Sequence, residues 1–139
     1  MKNREDAIVA VVQRLTDARV SLGLQKLKRS PTTPINKDHL PCIFIVEDVD
    51  EIIKHSTRGV LGYPCRRVLE IVLEIITDNS YDIKNLYRQV RSTVLANNPV
   101  VADDSFIREL RTEGPTGYGL PDVLGMKLVL ALTYTDSGD

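Results

Sequence analysis

The chain has 139 residues, of which 42% are apolar and 27% are charged, a composition typical of one globular domain with a buried core. Its formal net charge of -1 argues against a protein that binds nucleic acid through a basic surface. No apolar run approaches the roughly 18–20 residues of a membrane helix. The N-terminal segment lacks the apolar core of a signal peptide, so we expect a cytosolic protein.

The first predicted element is an amphipathic helix at residues 4–19, because apolar side chains recur there at helical spacing. They are Ile8, Val11, Val12, Leu15 and Ala18. Residues 24–41 follow as a connector that contains three prolines and four basic residues. We interpret it as a solvated loop rather than a phosphate-binding patch.

Two strands are predicted next, at residues 42–47 and 66–77. The first is apolar on both faces, which indicates burial on both sides. The second has one apolar face, and on its other face Glu70 and Glu74 alternate with apolar groups. We expect residues 47–65 between them to form a long, partly extended arm.

The arm begins with an acidic run, EDVDE, at residues 47–51. Carboxylate oxygens suit Ca²⁺ or Mg²⁺, but the run lacks the spacing and the glycine of an EF-hand loop. We therefore interpret it as a charged, solvated segment.

The second half of the chain predicts a helix at residues 81–96, capped by Asn79, and strands at 105–113 and 124–135. In the last strand apolar side chains occupy every second position, so one face should lie in the core. This face comprises Met126, Leu128, Leu130, Leu132 and Tyr134.

The order helix, strand, strand, helix, strand, strand predicts an α+β fold for a single domain over residues 1–139. We expect a mostly antiparallel four-stranded sheet with both helices packed on one face. Cys42 and Cys65 begin two strands that should pair antiparallel, which places them at opposite ends of the pair. Because a disulfide needs Cα atoms within about 7 Å, both cysteines are predicted to be free.

No motif in the chain predicts catalysis. His39 and Cys42 lack the second pair of ligands that a zinc site requires, and His55 has no evident nucleophile near it in sequence. The segment GPTGYGLPDVLG lacks the order of a dinucleotide-binding loop and precedes a strand instead of a helix. We expect no enzymatic activity, no cofactor and no metal site.

Four segments in this order resemble the tail terminator proteins of long-tailed bacteriophages, the minor tail protein U-like group. They are LPCIFIVEDVDE, RRVLEIVLEII, DIKNLYRQVRSTVLAN and GMKLVLALTYTD. The resemblance implies an α+β protein that assembles into a hexameric ring, caps the head-proximal end of the tail tube and ends its polymerisation. It implies no catalysis and no cofactor.

The same resemblance implies a location in the virion, at the head–tail interface, after synthesis in the host cytoplasm. The implied partners are further copies of the chain, the tail tube protein and a head-completion or connector protein. It implies neither a membrane nor direct sequence-specific nucleic-acid binding. Two alternatives stay open: another head–tail connector or tail-completion protein, and a small enzyme or ligand-binding domain.

The arm is the predicted contact between subunits, because it carries too many apolar groups for a solvated loop and a head-to-tail ring needs two complementary surfaces. We expect the arm to order on ring formation or on docking to the tail tube, and to meet a neighbour's charged strand face, with the free protein monomeric at low concentration. The candidate interface residues are Asp48, Asp50, Glu51, Ile52, Ile53, Lys54, Arg58, Leu61, Tyr63, Arg66, Glu70 and Glu74.

Overall fold

Two α-helices and a five-stranded sheet make up the computed structural model, which describes residues 2–31, 36–54, 65–78, 81–96, 100, 105–117 and 119–136. The α+β class is confirmed. The elements in chain order are α1 (Lys2–Leu22), β1 (Lys26–Arg29), β2 (Cys42–Lys54), β3 (Cys65–Asp78), α2 (Ile83–Leu95), β4 (Phe106–Gly117) and β5 (Val123–Asp136), with a short 3-10 helix at Lys37–His39.

The strands lie in the order β1-β2-β3-β5-β4, and the sheet is mixed rather than purely antiparallel. β1 runs parallel to β2, and the other neighbouring pairs are antiparallel. The four-stranded prediction was incomplete because β1 lies inside the segment interpreted as a solvated loop. Its sequence, KLKR, contains a single apolar residue, Leu27, which packs against the core.

β2 continues well beyond its predicted end at residue 47 and pairs with β3 as far as Lys54 and Arg66. The register shifts between Glu47 and Asp50, and again between Ile52 and Lys54. These bulges let the strand continue through an acidic run that breaks the apolar alternation. The first part of the expected arm is therefore strand, and residues 55–64 lie outside the described part of the chain.

Both helices cover one face of the sheet, as the sequence predicted. The apolar stripe of α1 meets that of α2 over the central strands β3 and β5, where alternate side chains are fully buried. Burial of each large aliphatic side chain contributes about 1.5–3 kcal/mol before conformational entropy is counted. This core includes Ile8, Leu15, Val90, Ile43, Leu69, Ile71, Leu73, Leu128, Leu130, Leu132 and Tyr134.

Asp82 is the N-cap of α2, and its carboxylate accepts a hydrogen bond from the Asn85 backbone amide. The predicted cap, Asn79, lies outside the described residues. Asp82 takes the role because the helix begins at Ile83, two residues later than predicted, and the residue just before a helix is the one placed to cap it.

Cys42 is buried as a free thiol and lies opposite Ile76, at the far end of β3 from Cys65. This is the strand arrangement on which the prediction of a free thiol depended. Burial raises the pKa of the Cys42 thiol to about 11, so the group is protonated at neutral pH. Within the described ranges, no helix combines the length and apolar character needed to cross a membrane.

Candidate interaction surface

A set of ion pairs and hydrogen bonds, here called the Asp50 cluster, lies where β2 changes register. The Asp50 carboxylate accepts hydrogen bonds from Arg4 Nε at 3.1 Å and from Arg67 Nε at 3.1 Å. The Tyr134 hydroxyl donates a third, at 2.7 Å. These donors come from α1, β3 and β5, so Asp50 joins three elements at the base of the β2–β3 hairpin.

Glu47 extends the Asp50 cluster toward the edge of the sheet. Its carboxylate pairs with Arg4 at 3.0 Å and with Arg29 Nε at 2.8 Å. Arg29 on β1 also donates two hydrogen bonds to Glu5, at 2.6 and 3.0 Å. The interpretation of the acidic run as solvated was therefore wrong for Glu47 and Asp50, because both turn toward arginines that the tertiary fold brings to them.

The pKa shifts in the cluster favour one charge state. Burial raises the pKa of Asp50, but hydrogen bonds from Tyr134, Arg67 and Arg4 outweigh that cost, and the net pKa is lowered. Burial, together with the hydrogen bond to Asp50, raises the pKa of Tyr134 far above its usual range. Asp50 is thus ionised and Tyr134 protonated at neutral pH, and the cluster acts as a fixed clamp between α1 and the hairpin.

The face of the sheet opposite the helices, here called the open face, carries a shallow depression of about 170 Å³. Ala131 forms its floor, because a methyl group stands there between larger neighbours on adjacent strands. Two side chains on its walls, Val49 and Leu110, are 44% and 36% exposed. The full lining is Val49, Glu51, Val68, Glu70, Arg108, Leu110 and Ala131.

One charge in this depression has only a distant partner. Glu70 lies 3.7 Å from Arg111, which also pairs with Glu113 at 3.1 Å. Among the described residues, Glu51 and Arg108 have no hydrogen-bond or ion-pair partner. The open face therefore presents an apolar floor with uncompensated charge at its rim, which is the composition of a contact surface rather than of a packed core.

The structure divides the candidate interface residues among three places. Glu51, Glu70 and Glu74 share the open face, and Asp48 is exposed. Asp50 is instead held inside the Asp50 cluster. Arg66 donates to Thr135 Oγ1 at 2.8 Å, and its guanidinium lies 5.9 Å from the centre of the Phe106 ring. Ile52, Ile53 and Lys54 belong to β2 by their backbone, while Arg58, Leu61 and Tyr63 lie outside the described residues.

Sequence reasoning missed Arg4, Arg29 and Arg67 as partners of the acidic run. A possible signal was the position of Tyr134, a phenol at the end of an apolar strand face, because a buried hydroxyl needs a hydrogen-bond partner. Across the described part of the chain, no three His, Cys, Asp or Glu side chains are grouped so that they could hold a metal ion.

No family model and no curated protein matches this chain. Among solved structures, a chain from the virion of a native gene transfer agent particle has a similar fold, with a TM-score of 0.59. The two chains are 17% identical, and the match covers 92% of this chain and 93% of the other. The class defined here is therefore a small α+β domain with a fold similar, over 92% of the chain, to that of a chain in that particle.

Proposed function

We propose that this protein is a structural component of a phage-like virion. The observation that carries the proposal is the fold shared with a chain of a gene transfer agent virion over nearly the full length of both chains. Because the match leaves almost none of either chain unaligned, the likeness extends over the fold of both chains and not over one common substructure. A role in the virion implies association with other virion proteins.

More specifically, we propose that the protein is the tail terminator, a ring that caps the head-proximal end of the tail tube. The sequence resemblance supports this role, and the open face fits the need of a ring for two different, complementary surfaces. In this role the protein ends tube polymerisation and presents a docking surface to the head connector. It acts by binding and needs no catalytic group.

The test is a polymerisation assay with purified tail tube protein from the same particle. Addition of this protein at substoichiometric amounts should stop tube growth, and labelled protein should be found at a single end of each tube by electron microscopy. Rings of uniform size should be seen on those ends.

A matched variant replaces residues 55–65 by an Asn-Gly turn, which can connect β2 to β3 because the strands pair as far as Lys54 and Arg66. This variant should stay folded but should no longer cap tubes. If the natural protein binds a head connector yet leaves tube growth unchanged, it is another connector component. If it binds neither the head connector nor the tail tube, the proposed role in the virion is wrong.

A further inference from the structure

The depression on the open face has no occupant within its own described chain. Its floor and walls are apolar at Ala131, Val68, Val49 and Leu110, and its rim carries two acids, Glu51 and Glu70, and one base, Arg108. Because the acids outnumber the base, a fitting partner carries aliphatic or aromatic side chains next to a cation that can reach Glu51. An apolar group would displace water from the floor, and a cation would meet the acid that has no partner.

We propose that this depression receives residues 55–64 of a second copy of the chain, a contact that would build the ring proposed above and rests on that proposal. The segment reads HSTRGVLGYP, which contains three large apolar residues and one arginine but no acid. The composition complements the rim and floor of the depression. The groups that fit are Val60, Leu61, Tyr63 and Arg58.

The position of the segment supports insertion into a neighbour. β2 and β3 remain paired as far as Lys54 and Arg66, so the residues that flank the ten-residue segment lie side by side at the end of the sheet. The length of ten residues allows a reach of at most about 16–18 Å past the last pair. That length is enough to place Leu61 in the depression of an adjacent copy.

Arg66 disfavours insertion into the depression of the same copy. Its side chain crosses β5, where it donates a hydrogen bond to Thr135. Its guanidinium lies over the ring of Phe106 on the edge strand β4. It therefore lies between the base of the hairpin and the depression. Arg58 folding back over the same face would also approach this like charge, whereas Arg58 of a second copy can approach the rim from outside.

The first test uses disulfide trapping in the full chain with Cys65→Ser as background. One tagged copy carries Leu61→Cys, and a second, differently tagged copy carries Leu110→Cys. Because a disulfide requires Cα atoms within about 7 Å, the mixed species should exceed by about tenfold that formed with a Val20→Cys copy. Val20 is the matched control because it is exposed on α1, away from the open face.

The second test exchanges charges across the contact. Glu51→Arg and Arg58→Glu should each weaken self-association about tenfold or more, measured by light scattering after size exclusion, and the double variant should recover most of the loss. Recovery requires that the two side chains meet, which general destabilisation cannot imitate. Both tests are made with the free protein and in the presence of tube ends.

Equal trapping by Leu110→Cys and Val20→Cys copies, or no recovery in the charge-exchanged variant, would overturn the proposal. A disulfide formed within single Leu61→Cys/Leu110→Cys chains, without a mixed species between copies, would also overturn it. The outcome is separable from that of the proposed function. If the cysteine variants trap each other between copies but the natural protein does not stop tube growth, the terminator role alone is refuted.

Discussion

The hydroxyl of Tyr134 donates a 2.7 Å hydrogen bond to Asp50 across 84 residues of sequence, at the bulge where β2 changes its register with β3. Tyr134 is fully buried, and Asp50 also accepts from Arg4 and Arg67. The bond therefore connects the last strand to the base of the β2–β3 hairpin.

Tyr134→Phe should lower the free energy of unfolding by about 1–2 kcal/mol, because it leaves a partly buried carboxylate with one donor fewer. Urea denaturation at neutral pH measures the change. Tyr81→Phe is the matched control, because Tyr81 is 45% exposed and its hydroxyl has no hydrogen-bond partner among the described residues. It should alter stability by less than about 0.5 kcal/mol. Equal effects of the two substitutions would show that the buried bond contributes nothing.

Asp50→Asn should cost about 2–3 kcal/mol at pH 7, because it removes the charge that Arg4 and Arg67 share. The pKa of Asp50 is lowered in the fold, so its contribution is complete above the unfolded value near 3.9 and is lost as the pH falls through the lower folded value. The stability gap between the natural protein and Asp50→Asn should therefore narrow below about pH 4.

Urea titrations at several pH values measure this gap. Glu5 and Glu109, whose pKa values are also lowered by arginine partners, are present in both proteins and cancel in the difference. Asp48→Asn controls for loss of a carboxylate from the same acidic run, since Asp48 is exposed and has no partner in the described chain. It should change stability by less than about 0.5 kcal/mol at pH 7. A gap that stays constant down to pH 2 would contradict the role assigned to Asp50.

Gly114→Ala should destabilise the protein by about 1–3 kcal/mol, because Gly114 has a φ of +95 and an added Cβ would lie 2.8 Å from the Gly125 carbonyl oxygen. Both the positive φ and the close contact involve backbone atoms, which cannot shift without a large cost in free energy. Gly117→Ala, three positions along the same strand, meets nothing within 4 Å and should be nearly neutral. Thermal unfolding of the two variants side by side tests this difference.

Leu130→Ala should cost about 2–5 kcal/mol, since Leu130 lies at the centre of the sheet beneath both helices and is fully buried. Val20→Ala removes aliphatic atoms from a side chain that is 93% exposed and should change little. Urea unfolding would contradict the description of the core if Leu130→Ala cost less than about 1 kcal/mol.

Local patterning predicted both helices and four of the strands, with the burial of alternate positions in β3 and β5. Leu69, Leu73, Leu128 and Leu132 lie in the core where the period-two pattern placed them. The pattern is informative because a strand buried on one face must alternate, so residues of one segment are enough to reveal it. The free thiol of Cys42 followed from the same reasoning about strand direction.

The tertiary structure alone decided the parts that depend on distant partners. β1 contains one apolar residue and is a strand because β2 lies beside it in parallel, which no local pattern reports. Asp50 and Glu47 look like solvated acids in sequence, but the fold brings Arg4, Arg29 and Arg67 to them. The depression at Ala131 exists because a small side chain on β5 lies between larger ones on β3 and β4. Sequence periodicity determines which face of an element is buried, whereas the identity of the groups that meet there depends on the register between strands, and only the folded chain sets that register.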